Sequence, residues 1–255
     1  MAGRLEGKVA IVTGAGSRGP GVGNGKAVAI LFAREGAKVL CVDLVGERAQ
    51  ETVDAILADG GVASSFAADV SDLAQCELMV AAATDRYGQL DILHNNVGIG
   101  SGQALGDITE DEWDRVMAIN VRSAVMSTQA AAARMKDGGA VINVASIAAF
   151  RAYPPAYTTS KTAIVGLTFA LAGQLGDRRI RVNCIAPGQV YTPMVAEVLT
   201  PEARKVRAEG GVIKDEGTAW DIGWAAVFFA SDESRWVTGQ TLLVDAGISL
   251  RMPNY

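Results

Sequence analysis

The sequence predicts an α/β fold, with a single doubly wound parallel sheet flanked by helices on both faces. Short segments rich in β-branched residues alternate along the chain with longer helical segments, which is typical of parallel sheets connected by helical crossovers. Hydrophobic residues make up 49% of the chain and charged residues 20%, as in ordinary globular proteins. The 255 residues suffice for one α/β domain with a substantial core, so we expect one domain over residues 1–255.

The predicted elements alternate strictly from the first strand to the last. Strands are predicted over residues 8–13, 38–43, 62–69, 90–95, 139–146, 180–187 and 240–246. Helices are predicted near residues 26–35, 46–58, 71–87, 109–136, 155–175 and 218–231. Thr109 followed by Glu112 is a capping-box pattern, which favours a helix start at that point. Ligands of such sheets bind at the carboxyl ends of the strands, where we therefore look for a site.

Composition excludes several classes of function. The net charge of -5 argues against non-specific binding to nucleic acid or to an anionic membrane. The sequence shows neither a signal peptide nor an apolar run of roughly 20 residues, the length that spans a bilayer, so we expect a cytoplasmic protein. Cys41, Cys76 and Cys184 are scattered, which argues against a disulfide framework. With His94 as the only histidine, we expect no metal site.

A glycine-rich loop, "TGAGSRGPGVGNGKAVA", follows the first predicted strand. Three of its glycines match G-x-G-x-x-G, but that match would start the helix inside "GPGVG", where glycine and proline are costly. We expect instead that Gly14 makes the tight turn, that Asn24 is the N-cap of the helix, and that residues 18–22 form an inserted loop. Backbone N–H groups at the helix start, around Gly23 and Gly25, can then receive a pyrophosphate. A flexible surface turn is the alternative interpretation.

Asp43, at the end of the second predicted strand, indicates which dinucleotide binds. A carboxylate there accepts a hydrogen bond from the ribose 2′-hydroxyl and repels a 2′-phosphate, so it favours NAD over NADP. Arg18 favours the opposite choice, because it can pair with a phosphate. A solvated strand-end aspartate is the alternative. We expect NAD, because the position of Asp43 follows from the fold.

The segment "YTTSK" contains the candidate proton-transfer group. Tyr157 and Lys161 are four residues apart and share one helix face. An ammonium beside a phenol favours the phenolate, so we expect the pKa of Tyr157 to fall below about 10, towards the range for general acid–base catalysis. Such a pair also arises by chance. It gains weight from Ser146, which ends a predicted strand and can hold a substrate oxygen beside Tyr157.

Taken in order, these motifs resemble those of the short-chain dehydrogenase/reductase family over nearly the whole chain. The matching segments are "TGAGS…GNG" at 13–25, Asp43, "ADV" at 68–70, "NNVG" at 95–98, "MAINVRS" around Asn120, Ser146, "YTTSK", "PGQVYT" at 187–192 and "VDAG" at 244–247. The resemblance implies a Rossmann-like fold, a nicotinamide cofactor and a catalytic tetrad of Asn120, Ser146, Tyr157 and Lys161. In the family the asparagine positions a water that links the lysine to solvent.

The resemblance also implies a set of cofactor contacts. Our candidates are Gly14, Ser17, Asn24, Gly25, Asp43, Asp69, Val70, Asn96, Tyr157, Lys161, Val190 and Thr192. This chain departs from the family pattern in four ways. It carries the inserted loop, Val97 replaces a small alanine, Asn24 replaces an apolar residue, and the Ser146–Tyr157 gap is about two residues short.

The expected function is an NAD-dependent oxidoreductase that interconverts a secondary alcohol and its ketone. A non-redox relative of lyase or dehalogenase type is one alternative, against which Lys161 and Asp43 speak. A catalytically silent NAD-binding protein is another, against which the intact Ser-Tyr-Lys set speaks. His94, next to "NNVG", is interpreted as a packed or cofactor-adjacent residue rather than a base.

Residues 193–213 are predicted to form a mobile substrate lid, with Thr200 and Pro201 opening a short helix. An ordinary surface helix is the alternative. The predicted apolar surfaces are Met194, Val195, Val198 and Leu199 on the lid, and Phe150 and Tyr153 as a facing wall. These surfaces favour a small cyclic or aryl secondary alcohol or its ketone as substrate.

The helix that carries Tyr157 also predicts assembly, because residues 162–176 contain no charge. One stripe, Ile164, Leu167, Leu171 and Leu175, is expected to pack on the sheet. A further stripe on nearly the opposite side from the catalytic face consists of Thr159, Ala163, Gly166, Ala170 and Gly173. A helix that is apolar all round is normally buried all round, so we expect a homo-oligomer, and the family resemblance implies a homotetramer. The alternative is that helices of the same chain cover this stripe.

Overall fold

The computed structural model describes residues 3–196 and 199–251. Within them, seven strands form one parallel sheet in the order β3-β2-β1-β4-β5-β6-β7. The strands are β1 Val9–Thr13, β2 Lys38–Asp43, β3 Val62–Ala67, β4 Ile92–Asn95, β5 Ala140–Val144, β6 Arg181–Pro187 and β7 Thr241–Val244. The helices are α1 Asn24–Arg34, α2 Gly46–Ala58, α3 Leu73–Tyr87, α4 Glu110–Met117, α5 Ser123–Ala132, α6 Pro155–Leu175, α7 Pro193–Ala196, α8 Pro201–Ala208 and α9 Ala219–Ala230.

Both faces of the sheet are covered, as alternation along β1 shows. Ala10 and Val12 pack into one buried cluster, which includes residues of α1, α2 and α9. Ile11 points to the other face and packs into a second cluster with residues of α3, α5 and α6. Because successive side chains of a strand point to opposite faces, a strand buried on both sides becomes a continuous apolar run. The predicted doubly wound fold is confirmed.

The sheet also fixes where a ligand binds. β1 pairs with β2 on one side and with β4 on the other, so the strand order reverses between β1 and β4. Thr13 and Asn95, the last residues of β1 and β4, lie opposite each other in the ladder. Open α/β sheets bind ligands in the crevice that forms beyond the strand ends at such a reversal.

The helix predicted over residues 109–136 is interrupted. α4 ends at Met117, a π-helical turn covers Ala118–Arg122, and α5 begins at Ser123. The predicted start is right, because the Thr109 hydroxyl accepts a 3.2 Å hydrogen bond from the Glu112 N–H. A π-turn inserts one residue into a helix that otherwise continues, so the hydrophobic pattern on either side gives no sign of it.

The stripe of α6 that faces the sheet also differs from the prediction. Ile164 is buried as expected, but Leu167, Leu171 and Leu175 lie at the flanks and are only partly buried. The fully buried positions are Ala156, Ser160, Lys161, Ile164, Thr168 and Ala172. Small side chains on this stripe let α6 approach the sheet closely, and the larger leucines fill the spaces on either side. Of the described helices, none has the length and apolarity to cross a membrane.

Candidate active site

The turn after β1 brings backbone close to backbone. Gly14 has φ of +62°, a conformation that side chains other than glycine rarely adopt. A Cβ on Gly25, in the first turn of α1, would lie 2.0 Å from the Gly14 carbonyl oxygen. The two glycines therefore let the start of α1 pack directly against the end of β1. This is the geometry in which helix N–H groups face a bound phosphate.

The predicted N-cap is one residue off. α1 does begin at Asn24, but its N-cap is Gly23, whose N–H donates to the Ser17 hydroxyl at 3.0 Å. Ser17 thus binds the N-cap backbone across the loop, and Asn24 becomes the first helical residue. The Asn24 Oδ1 atom is buried with no hydrogen-bond partner in the described part of the chain.

The inserted loop, residues 18–22, lies between the start of α1 and the 193–213 segment. Arg18 lines the central cavity. Gly21 has φ of +111°, and a Cβ there would lie 3.5 Å from Pro193 Cγ, the first residue of α7. The loop therefore reaches across the crevice to the segment predicted as a lid.

Asp43 is held at the end of β2 by backbone donors. Its Oδ2 accepts from the Gly16 N–H at 3.2 Å and its Oδ1 from the Val45 N–H at 3.1 Å. A Cβ on Gly16 would lie 2.5 Å from the Arg48 Cβ, so the absence of a side chain at Gly16 lets the loop, Asp43 and α2 meet. The carboxylate is half-buried and lines the cavity.

A cavity of about 480 Å³ collects the predicted site residues at the carboxyl edge of the sheet. Those that line it are Gly14, Ser17, Asn24, Gly25, Asp43, Asp69, Val70, Asn96, Ser146, Tyr157, Lys161, Val190 and Thr192. Asn96 connects two of its walls, since its Nδ2 donates to the Gly14 carbonyl at 3.0 Å and its N–H to the Thr13 hydroxyl at 3.2 Å.

Ser146, Tyr157 and Lys161 converge from two elements. Ser146 lies two residues beyond β5, not within it, and its hydroxyl accepts from the Ala148 N–H at 3.1 Å in a short 3₁₀ turn. The Lys161 Nζ lies 5.8 Å from the centre of the Tyr157 ring and donates to the Val144 carbonyl at 3.2 Å. The β5 end and one face of α6 therefore place a hydroxyl, a phenol and an ammonium around the same space.

The pKa of Tyr157 differs from the value expected from the sequence. Burial raises the pKa of Tyr157, and its hydrogen bond with Ser146 opposes that rise. Burial lowers the pKa of Lys161 to about 8. The prediction that Lys161 brings the Tyr157 pKa below its usual value is wrong for this structure, because desolvation of the phenolate outweighs the distant ammonium.

Asn120 lies behind the cavity in the π-helical turn. Its Oδ1 accepts from the Ile99 N–H at 2.7 Å, and its Nδ2 donates to the Ile99 carbonyl and to the Ser160 hydroxyl, each at 2.9 Å. Ser160 in turn donates to the Tyr157 carbonyl at 2.8 Å. Asn120 thus braces α6 against the segment after β4. Sequence reasoning missed Ser160, although its place beside Lys161 in "YTTSK" was a usable signal.

The cavity is also lined by Tyr153, Met194, Val195 and Arg207. Phe150, predicted as a second wall, is largely exposed and does not line it, and Val198 lies outside the described residues. As predicted, Thr200 and Pro201 open a short helix, and the Thr200 hydroxyl accepts from the Ala203 N–H at 3.2 Å. Sequence reasoning missed Arg207, because only the fold shows that this position of α8 faces the cavity.

His94 is a packed residue of β4, which confirms the interpretation made from the sequence. It is fully buried, its ring meets Phe32 edge-on at 6.2 Å, and burial lowers its pKa to about 3. It does not line the cavity. Neither ring nitrogen has a partner among the described residues, so the ring is held by packing alone.

Comparisons with known proteins agree with this arrangement. The family described as enoyl-(acyl carrier protein) reductase matches residues 21–249. The 3-oxoacyl-[acyl-carrier-protein] reductase of Thermotoga maritima is 34% identical over 249 residues, which cover 96% of this chain and 99% of that protein.

Two solved structures extend the likeness to the fold. A short-chain dehydrogenase/reductase from Burkholderia xenovorans is 36% identical with a TM-score of 0.93, over 99% of this chain and 100% of that one. A 7α-hydroxysteroid dehydrogenase, solved with NADH and 7-oxo glycochenodeoxycholic acid, is 35% identical with a TM-score of 0.89. That match covers 96% of this chain and 95% of the other.

Proposed function

The chain belongs to the short-chain dehydrogenase/reductase family of oxidoreductases, and from this premise we propose that it interconverts a secondary alcohol and its ketone with NAD. One observation carries the proposal: Ser146, Tyr157 and Lys161 line the same cavity as Asp43 and the Gly14–Gly25 turn. A proton-transfer group and a dinucleotide-binding turn in one crevice are what this reaction requires.

The residues present fit a dinucleotide. Gly14 and Gly25 let the start of α1 pack directly on the end of β1 at the edge of the cavity, and the buried Asn24 Oδ1 lacks a described partner there. In our proposal the start of α1 holds the pyrophosphate and Asp43 accepts from the adenine ribose hydroxyls. The remaining proposed contacts are Asp69 and Val70 to adenine, Asn96 to the cofactor, Lys161 to the nicotinamide ribose, and Val190 and Thr192 to the nicotinamide amide.

Bound there, nicotinamide supplies the hydride chemistry at the carbinol carbon, and the protein manages the proton. In oxidation the Tyr157 phenolate takes the hydroxyl proton of the alcohol, and in reduction the phenol returns it to the carbonyl oxygen. The Ser146 hydroxyl orients that oxygen. In our proposal Lys161 holds the nicotinamide ribose beside Tyr157, and Asn120 fixes the turn of α6 on which both groups sit.

NAD rather than NADP follows from the position of Asp43. Both of its oxygens already accept from backbone N–H groups, which holds the carboxylate in place at the end of β2. A 2′-phosphate would have to approach this negative charge. Arg18 and Arg48 also line the cavity and would lessen the penalty. We therefore propose a preference for NAD rather than an absolute requirement.

For the substrate we propose a small cyclic or aryl secondary alcohol or its ketone. Tyr153, Met194 and Val195 add apolar surface to the lining of the cavity. Lys161 and Asp43 both line the cavity, which speaks against a non-redox reaction.

The test is a spectroscopic screen of secondary alcohols and ketones with NAD(H) and NADP(H), in wild type and Tyr157→Phe. We expect higher kcat/KM with NAD. Removal of the proton-transfer group in Tyr157→Phe should lower kcat by roughly 10²–10⁴-fold, the usual contribution of a general acid or base. NADH binding, followed by its fluorescence, should stay intact. Equal kcat/KM for the two cofactors would refute the NAD preference, and an active Tyr157→Phe would refute the assigned chemistry.

A further inference from the structure

Arg207, near the end of α8, lines the same cavity as Ser146 and Tyr157 and is half-buried. It lies on the 193–213 segment, whose Met194 and Val195 form part of the apolar wall. A guanidinium is charged at every physiological pH and presents five N–H donors, so at the rim of a catalytic cavity it can bind an anionic group of a ligand.

Arg204, one turn earlier on α8, shows what a structural arginine looks like in this protein. Its Nε donates to Glu216 Oε1 at 2.6 Å and its Nη2 to Glu216 Oε2 at 2.5 Å. Its Cζ lies 3.8 Å from the centre of the Tyr191 ring. Both oxygens of Glu216 are therefore occupied by Arg204, and that pair carries no net charge.

Arg207 has no such partner in the described part of the chain. No described carboxylate lies within ion-pair distance of it, and its side chain donates no hydrogen bond to another described residue. Its field lowers the pKa of Glu216, but Glu216 is already held by Arg204. Arg204 is therefore neutralised by Glu216, whereas no described carboxylate forms an ion pair with Arg207.

The acidic residues of the cavity lie elsewhere. Among the described lining residues the carboxylates are Asp43 and Asp69, which end or follow β2 and β3. Asp43 is bound to the glycine-rich loop, far along the sheet from the end of β6 that leads into α7. The part of the cavity lined by α7 and α8 thus combines apolar side chains with a cation that no described carboxylate neutralises.

We propose that the substrate carries a carboxylate or a similar small anionic group and that Arg207 binds it. This inference rests on the proposed alcohol–ketone chemistry and narrows its substrate class to hydroxy acids and keto acids with an apolar skeleton. Arg207 grips the anion through charge-assisted hydrogen bonds, which are stronger in a half-buried site than in water. Tyr153, Met194 and Val195 pack against the carbon skeleton and leave the carbinol at Ser146 and Tyr157.

The test compares each keto acid with its methyl ester, which has the same skeleton and no charge. Acetoacetate, levulinate and para-acetylbenzoate place the carboxylate at increasing distances from the ketone. Each pair is assayed with NADH in wild type, Arg207→Gln, Arg207→Lys and Lys205→Gln. Lys205 is exposed on the same helix, so Lys205→Gln removes an equal charge without touching the cavity.

We expect wild type to prefer the acid in at least one pair. Arg207→Gln should lower kcat/KM for that acid by roughly 10–100-fold, the value of a hydrogen bond to a charged group, and leave the ester nearly unchanged. Arg207→Lys should keep part of the preference, and Lys205→Gln all of it. An equal loss on acid and ester overturns the proposal. A raised KM for NADH with an unchanged acid-to-ester ratio also overturns it and assigns Arg207 to a cofactor phosphate.

A second readout separates this inference from the proposed function. If wild type reduces no ketone with either cofactor, the proposed function fails. Titration of the acids into the enzyme–NADH complex, followed by NADH fluorescence, then still tests Arg207. Equal acid affinity in wild type and Arg207→Gln refutes the anion site, and weaker binding only in the variant supports it.

Discussion

Lys161 carries a charge in a place that is unfavourable for stability. It is 4% exposed, its Nζ has the Val144 carbonyl as its protein acceptor, and burial lowers its pKa to about 8. No described carboxylate pairs with it. Active-site charges of this kind commonly reduce stability in exchange for function.

The sign of the effect follows from proton binding. Between the folded pKa of about 8 and the ordinary lysine pKa of 10.5, the unfolded chain holds a proton on this lysine that the folded chain lacks. The free energy of unfolding therefore rises with pH across that window. Below it the folded state bears the full cost of burying the ammonium.

Lys161→Met should thus abolish turnover and stabilise the fold. Methionine keeps the apolar stem and removes the charge, so near pH 7 we expect a gain of roughly 1–3 kcal/mol, since each pKa unit corresponds to about 1.4 kcal/mol. The gain should shrink as the pH approaches the unfolded pKa. Urea unfolding of wild type, Lys161→Met and the surface control Lys205→Met at several pH values measures it. A variant less stable than wild type at neutral pH would contradict the prediction.

The placement of the candidate residues around one cavity could be predicted, whereas their electrostatics could not. Tyr157 and Lys161 were singled out by their four-residue spacing on a helix face together with Ser146, and their catalytic roles stay predictions. Whether the phenol pKa rises or falls depends on desolvation, which the fold determines. The predicted N-cap at Asn24 was wrong for a similar reason, because it depends on a contact across the loop. The Gly23 N–H donates to the Ser17 hydroxyl, and Gly23 is the N-cap.

At the level of elements, the inserted loop at residues 18–22 lies between the start of α1 and α7. It connects the turn that begins with Gly14 to the start of α1, and Gly21 packs near Pro193 of α7. Arg18 lines the cavity from this loop. We infer that the loop shapes the rim at the cofactor phosphates and takes no part in proton transfer, since Tyr157 and Ser146 are supported by β5 and α6 instead.

Deleting residues 18–22 should therefore raise KM for the cofactor more than it lowers kcat. Arg18→Gln, which keeps the loop length, is the matched control that separates charge from shape. Steady-state kinetics with varied NAD, together with NADH fluorescence titration, provide the two measurements. Normal cofactor binding with a collapsed kcat would assign the loop a role in the chemistry and disprove this prediction.

Element boundaries were predicted less well than element order. Strands predicted to end at residues 69 and 146 end at Ala67 and Val144, so Asp69 and Ser146 lie in the loops that follow. Neither a glycine nor a proline marks the end of either strand in the sequence, but the ladder pairing stops there. The π-turn that holds Asn120 has no periodic signature at all. In both cases the candidate site residue lies where the local sequence pattern and the observed hydrogen bonding differ.

For the whole molecule, the exposed outward face of α6 indicates assembly with another chain. Its outward face carries Thr159, Gly166, Phe169, Ala170 and Gly173, all exposed in the single chain, and Phe169 is 57% exposed. Apart from the neighbouring residues of α6 itself, no described atom lies within 4 Å of a Cβ built on Gly166 or Gly173. Helices of the same chain therefore do not cover this stripe at the two glycines, which removes the main alternative to assembly there.

A second candidate contact surface lies on α4 and α5. A shallow depression there is lined by the partly buried Met117, Ala118, Val121 and Val125, together with charged residues of the same helices. Surfaces of this kind usually mark a contact with another protein chain, and closed symmetry is the common way to bury them in identical subunits.

Gly166→Glu tests the proposed contact through α6, because we expect it not to destabilise the isolated chain. The new side chain meets open space, and replacing glycine inside a helix gains about 0.5–1 kcal/mol of helix propensity. In an assembled protein the same carboxylate is buried between two copies of α6, where an unpaired charge is costly.

Light scattering should show wild type as a homotetramer or dimer and Gly166→Glu as a smaller species, with circular dichroism unchanged. Leu78→Glu, a comparable charge on the exposed side of α3, should keep the wild-type mass. A monomeric wild type, or a folded Gly166→Glu of wild-type mass, would show that α6 is not the contact.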